Sequence, residues 1–202
     1  MPGFYQESEY DMAGFSVGIA DKKDIITGQN IKAGDKVIGI KSSGLHSNGY
    51  SLVRKLFLEN MEADINEYID ELGETLGEAL LRPTKIYYDV VTAALAACKV
   101  KGIVHITGGG FYENIPRVIP EGLSVLIDKN SWGKAPIFNY IAKCGAIEER
   151  EMFSTFNMGV GMMMIVDASD ADVLLKALNA IGGNANLIGE VTEALEERIV
   201  IR

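Results

Sequence analysis

The chain carries two histidines, and each stands where an apolar, strand-like run gives way to glycines, hydroxyls and amides. In KSSGLHSNGYSL, His46 lies among Ser42, Ser43, Gly44, Ser47, Asn48 and Gly49; in HITGGGFYEN, His105 is followed by Thr107, Gly108, Gly109, Gly110 and Asn114. An imidazole with an ordinary pKa of ~6.5 donates to an oxyanion or moves a proton near neutrality. Glycine reaches positive φ and lets a ligand come close to the backbone. The first amides of a following helix lack internal partners and favour an anion by about 0.3–1 kcal/mol, up to ~2 in a partly buried site. Ser43, Ser47, Asn48 and Thr107 add side-chain donors to those amides. One such junction reads as a turn. Two with the same chemistry predict that a small phosphorylated metabolite binds between two glycine loops.

Other candidates carry less. Asp11, just ahead of a strand-like segment, could face a metal or nucleotide but reads first as a solvated loop carboxylate. Arg82 and Lys85 flank Pro83 near a helix start and could meet phosphate, although a solvated face explains them as well. Met162, Met163 and Met164 read as core, and Cys98 and Cys144 as small buried apolar residues. After Gly108 and Gly110 the third glycine of a dinucleotide fingerprint would fall on Glu113, and no GK[ST] follows for a P-loop. No nucleophilic triad and no metal-ligand cluster can be read.

The elements that must hold these loops alternate without repeats or linkers. Strands are expected over 13–22, briefly after the turn at 21–24, and over 33–42, 100–107, 122–128 and 160–167, with NLIGEVTE and RIVIR closing the chain. Helices are expected over 48–60, with Leu52, Leu56 and Phe57 on one face and Ser47 or Asn48 as cap, and over 84–98, 136–145 (ended by a left-handed Gly145) and 170–183. Segment 61–82 reads as helix and loop. This order, with hairpins at both ends, predicts an α+β fold with a mixed, largely antiparallel sheet and helices packed mainly on one face.

Composition sets outer bounds. A chain of 202 residues, 48% hydrophobic and 23% charged, is expected to be globular, with a core large enough to need no disulfide or structural metal. Two cysteines outside any CxxC or Cys/His cluster fit a reducing cytoplasm. A formal charge of -9 disfavours nucleic acid and anionic membranes as partners, and the longest apolar run, VGMMMIV, is far short of a membrane span. No signal peptide can be read at the start.

The segments GLHSNGYSLVRK, HITGGGFYENIPRVIP and FNMGVGM together resemble the phosphoribosylformylglycinamidine cyclo-ligase family, also called aminoimidazole ribonucleotide synthetase. The likeness runs from MPGFYQESEYDMAGF to about residue 190. It implies ATP- and Mg2+-dependent closure of formylglycinamidine ribonucleotide to aminoimidazole ribonucleotide in purine biosynthesis, in a cytoplasmic homodimer. It implies further that this chain is the C-terminal domain. Residues 1–32 would bridge from an N-terminal domain that is missing, since Met1, Pro2 and Gly3 match the end of that domain's last motif, and residues 33–202 would close over the substrate. ATP and Mg2+ would then sit mainly on the missing half, and this chain alone would be inactive. Ser43, Gly44, Ser47, Asn48, Thr107, Gly108, Gly109 and Gly110 would line the substrate cleft, the amides after Gly108 and around Ser47 holding phosphate, with His46 or His105 assisting proton transfer. Two alternatives stay open: a related enzyme of the formylglycinamidine ribonucleotide synthetase, selenophosphate synthetase or thiamine-monophosphate kinase type, or a non-catalytic module that binds a phosphorylated ligand.

Overall fold

A computed structural model describes residues 12–202; Asp11 and the opening MPGFYQESEYD lie outside the described residues. The strands and helices are β1 (Lys36–Lys41), α1 (Tyr50–Arg54), β2 (Tyr68–Ile69), β3 (Glu74–Thr75), α2 (Leu76–Leu80), α3 (Tyr88–Ala97), β4 (Val100–His105), α4 (Gly110–Asn114), β5 (Leu123–Ile127), α5 (Pro136–Gly145), α6 (Glu149–Thr155), β6 (Val160–Val166), α7 (Ala171–Ala180), β7 (Ala185–Glu193) and β8 (Ile199–Ile201). Six strands form one sheet in the order β4-β6-β1-β7-β5-β8. Every pairing is antiparallel except β5 with β8. The expected fold class is therefore the observed one.

The sheet is buried on both faces, which is why β6 is an unbroken apolar run instead of an alternating one. Val37, Val104, Met163, Ile165 and Ile188 face the larger core, built with Phe57, Leu76, Phe111, Phe138 and Phe153 from the side of α1, α2, α4, α5 and α6. Ile38, Ile40, Met162, Met164 and Val166 face a smaller core completed by Val90 and Ala94 of α3 and Leu174 and Leu178 of α7. The helices thus lie mainly, but not wholly, on one face.

Several local expectations are corrected. Residues 13–20 form no strand; Phe15, Val17 and Ile19 alternate as a strand would but stand exposed, because alternation specifies a face and not a hydrogen-bonding partner. The brief strand expected after the turn at 21–24 is also absent. The terminal hairpins do not form, since no two strands consecutive in sequence are neighbours in the large sheet. Gly49, with φ 77°, takes the cap position before α1 instead of Ser47 or Asn48, and that helix continues as a π-helical segment over Lys55–Asn60. Gly145 is the last residue of α5, and the left-handed residue after it is Ala146. Helix α6 was not legible as such, its seven residues being mostly polar outside Met152 and Phe153. Segment 61–82 resolves into the β2–β3 ladder and α2, whose start carries a capping box between Thr75 and Glu78.

Candidate functional site

Sheet topology brings the two glycine loops together. Strands β1 and β4 both pair antiparallel with β6, Lys41 opposite Val160 and His105 opposite Met162. They therefore run in the same direction on either side of β6, and the loops that leave them emerge at one end of the sheet. A side chain on Gly108 would come 3.9 Å from Oδ1 of Asn48, so the loops touch. Each ends in a left-handed glycine, Gly49 at φ 77° and Gly109 at φ 87°, directly before α1 and α4, and neither helix start has a side-chain cap.

Between the two histidines stands a residue that sequence reading passed over. The Tyr87 ring meets His46 edge-on at 6.1 Å and His105 edge-on at 6.2 Å, centroid to centroid. Its hydroxyl donates to the carbonyl of Lys41 at 3.1 Å. Lys85 donates from Nζ to the same carbonyl and to that of Gly183, each at 3.2 Å, and lies 5.4 Å from the Tyr87 ring centroid. Burial, joined by the charge of Lys41, pushes the Lys85 pKa down. Arg82, by contrast, is engaged by Glu74 at 2.7 Å.

The two histidines are not equivalent. His105 is exposed, whereas His46 is only 5% exposed and holds a left-handed backbone at φ 60°. His46 Nε2 accepts the N–H of Ser43 at 3.2 Å, which places the ring proton on Nδ1. That Nδ1 is buried and has no hydrogen-bond partner among the described residues. Burial, then the proximity of His105 and Lys85, lowers the His46 pKa from 6.5 to about 4. Below pH 6.5 the unfolded chain therefore takes up a proton that the folded chain refuses until about pH 4. The stability contributed by this group is whole above the unfolded pKa and declines as pH falls toward the folded one, by about 1–3 kcal/mol. Urea unfolding between pH 4.5 and 7 is expected to show this loss in the native sequence and a smaller one in His46→Asn. Equal slopes for the two proteins would remove the buried neutral imidazole from the account.

The second loop is pinned from within. Asn114, 4% exposed, donates from Nδ2 toward the carbonyls of Thr107, Gly108 and Gly110, the last at 2.7 Å, and accepts from the Thr107 hydroxyl at 3.3 Å. The first loop is fastened by Asn157, which is fully buried. Its Oδ1 accepts from the Ser42 hydroxyl and the Gly159 amide, and its Nδ2 donates to Gly44, all at 2.9 Å. Ser43 directs its hydroxyl to the Pro83 carbonyl at 2.6 Å, so it shapes the turn. Gly44 is buried. Ser47, Asn48, His105, Thr107, Gly108 and Gly109 remain at least partly accessible, whereas Gly110, expected on the same face, is buried. Sequence reading placed Asn114 in the second loop but missed Tyr87 and Asn157 as parts of the site. The signal for Asn157 was its place in FNMGVGM, beside glycines that let strands and rings approach closely. Gly161 in that motif is one of them: a Cβ there would lie 2.5 Å from Cε1 of His46 and overlap the Tyr87 hydroxyl.

Among the described residues no group of three or more His, Cys, Asp or Glu side chains could hold a metal ion, and no helix is long and apolar enough to cross a membrane.

The chain as a whole is similar to known proteins. Residues 32–202 match the family described as AIR synthase related protein, C-terminal domain. The chain is 52% identical over 200 residues to the phosphoribosylformylglycinamidine cyclo-ligase of Alkaliphilus metalliredigens, covering 99% of this chain and 58% of that protein. It is 54% identical over 194 residues to the protein of the same name from Thermoanaerobacter pseudethanolicus, covering 96% and 57%. The chain thus spans less than two thirds of the length of these relatives. Among solved structures, E. coli HypE, a hydrogenase maturation protein, superposes with a TM-score of 0.57 at 18% identity, over 86% of this chain and 48% of that one. Thiamine-monophosphate kinase from Stenotrophomonas maltophilia gives 0.56 at 15% identity, over 87% and 52%. At such identities the likeness is one of fold.

Proposed function

The chain belongs to the AIR synthase related protein, C-terminal domain family, and on that premise we propose that it is the C-terminal part of a phosphoribosylformylglycinamidine cyclo-ligase. The reaction is the ATP-dependent ring closure of formylglycinamidine ribonucleotide to aminoimidazole ribonucleotide in purine biosynthesis, with release of ADP and phosphate. The observation that carries this reading is 52% identity over 99% of the chain to an enzyme of that name. The adjacency of the two glycine loops supports it physically. In this reading residues 33–202 are the substrate-closing domain and residues 1–32 lead into it from the nucleotide-binding part, in a cytoplasmic homodimer. ATP and Mg2+ are held mainly outside the matched segment. The described residues offer a metal no donor cluster, so no step here is routed through magnesium.

The ribonucleotide lies across the two loops, its phosphate near the backbone of Gly108 and Gly109 and the side chains of Ser47, Asn48 and Thr107. His105, exposed at the end of β4, is the imidazole placed to steady charge or move a proton during cyclisation. Of the two histidines offered for proton transfer, His46 takes a positioning role in this reading. Neutral and engaged by Ser43, it positions the first loop and does not exchange protons near neutrality.

Calorimetric titration with the formylglycinamidine ribonucleotide tests the assignment. Gly109→Val is expected to weaken binding by about tenfold or more, because a branched Cβ at φ 87° crowds the Glu113 side chain and forces the loop out of its left-handed turn. Cys98→Ala, remote from the loops, is expected to bind as the native chain does. Equal affinity in the two variants would mean that the glycine loop does not hold the substrate.

A further inference from the structure

Beside the loops, at the same end of the sheet, a cavity of about 300 Å3 is bounded by Lys41, Trp132, Gly159, Asn179, Asn184 and Asn186 among others. Its wall is continuous with the first loop, because the Ser42 amide donates to the Gly159 carbonyl at 2.9 Å. We propose that this cavity is a second site that binds a phosphate group, with Lys41 as its cation, separate from the seat at Gly108 and Gly109. The inference stands on the cavity and its charges and does not require the cyclo-ligase reading.

Three observations converge. The chain has 28 acidic and 19 basic residues, yet no Asp or Glu lines this cavity. Neither Lys41 nor its neighbour Lys85 has a carboxylate within ion-pair distance among the described residues, although ten ion pairs form elsewhere among them. Lys85 is instead held by carbonyls, those of Lys41 and Gly183, so its charge is fixed against the Lys41 backbone without being neutralised. The charge of Lys41, which lines the cavity, acts on Lys85 with no carboxylate to offset either, and an anion relieves that repulsion.

The remaining lining suits a phosphate ester. Asn186 brings a neutral amide that can donate to ester and phosphoryl oxygens, and Asn184, whose Nδ2 gives one N–H to the Gly182 carbonyl at 3.2 Å, has a second N–H to offer. Asn179 is committed to the backbone of Ala185, donating at 3.0 Å and accepting at 2.7 Å, and so fixes the start of β7 on which Asn186 stands. The Trp132 indole N–H is likewise engaged, by the Met158 carbonyl at 2.9 Å, and its ring is a rigid wall. The volume is at the low end for small-ligand pockets, which suits a phosphate or a phosphorylated pentose better than an extended polyphosphate.

Two sources of this chemistry differ in one experiment. Amide NMR shifts of the 202-residue chain would be followed during titration with inorganic phosphate and, separately, with ribose 5-phosphate. Both arms are read at Asn184 and Asn186 and at Gly108 and Gly109. The expected result is saturable shifts at Asn184 and Asn186, weakened about tenfold by Lys41→Met. Asn186→Asp, which keeps the side-chain shape and adds a negative charge, is expected to weaken them as well. Tighter binding of the pentose ester identifies a substrate-like ligand, and tighter or equal binding of phosphate identifies the free ion; either supports the site. The proposal is overturned if no shift reaches Asn184 and Asn186 at millimolar ligand, or if Lys41→Met and Asn186→Asp both bind as the native chain does.

Discussion

Gly110→Ala is expected to lower folding stability by about 2–5 kcal/mol and to displace the second glycine loop. Two physical terms add. An L-residue held at the φ of +54° found here costs about 1–2 kcal/mol in strain. The second term is overlap: a Cβ on Gly110 would run into the carbonyl oxygen of Phe153 and lie 2.8 Å from the Ser154 carbonyl carbon. These are backbone atoms and cannot rotate away, and overpacking of this kind costs roughly 1–3 kcal/mol. Helices α4 and α6 would have to separate, disturbing the Phe111–Phe153 ring contact whose centroids stand 5.0 Å apart. Gly122→Ala is the control. It shares a positive φ, +81°, but nothing lies within 4 Å of its Cβ, so only the strain remains. Urea unfolding of the two variants separates the terms. If Gly110→Ala costs no more than Gly122→Ala, the close approach of α4 to α6 does not hold the loop.

Lys101→Met is expected to cost about 3–5 kcal/mol, the penalty for leaving a buried charge without its partner. The Lys101 ammonium meets Asp35 Oδ1 at 2.6 Å and Asp167 Oδ2 at 3.3 Å, with Lys101 side-chain exposure of 10% and Asp35 at 1%. The other oxygen of Asp35 accepts the Lys32 amide at 3.0 Å. Asp167 is held well below the usual carboxylate range, first by the Ser169 amide and next by Lys101. This cluster joins the start of β1, the start of β4 and the end of β6: the two strands that carry the glycine loops at their other end, and the strand between them. Asp35→Asn combined with Lys101→Met removes both charges and is expected to recover part of the loss, since the orphaned carboxylate is the costly element. A double variant no more stable than Lys101→Met would show that the charge is not what destabilises it.

Chemistry-bearing loops were legible because their signals are local. Glycine at a positive φ, hydroxyls at a helix start and a histidine at a strand end declare themselves within a dozen residues, and both loops fold as short copies of one plan. Strand positions were legible for β1, β4, β5, β6, β7 and β8, whose apolar runs, except in β7, are close to continuous or alternate. Residues 13–20 show the limit of that signal. Phe15, Val17 and Ile19 carry the alternation of a strand, but pairing needs an edge to pair with, and no local pattern names one.

By itself, then, the sequence determined the α+β class, the two glycine loops, the candidate residues within them and, through motif resemblance, the family. Tertiary structure decided what those residues do to one another. It set β1 and β4 on either side of β6, which brought loops some sixty residues apart in sequence into contact. It buried His46 and left His105 at the surface, and so separated two histidines that local sequence context made look alike. It also placed Tyr87 between them and Asn157 beneath the first loop. The reason is physical. Turn and strand preferences act over a few bonds, whereas desolvation, ring contacts and buried hydrogen bonds depend on which distant segments the sheet order makes neighbours.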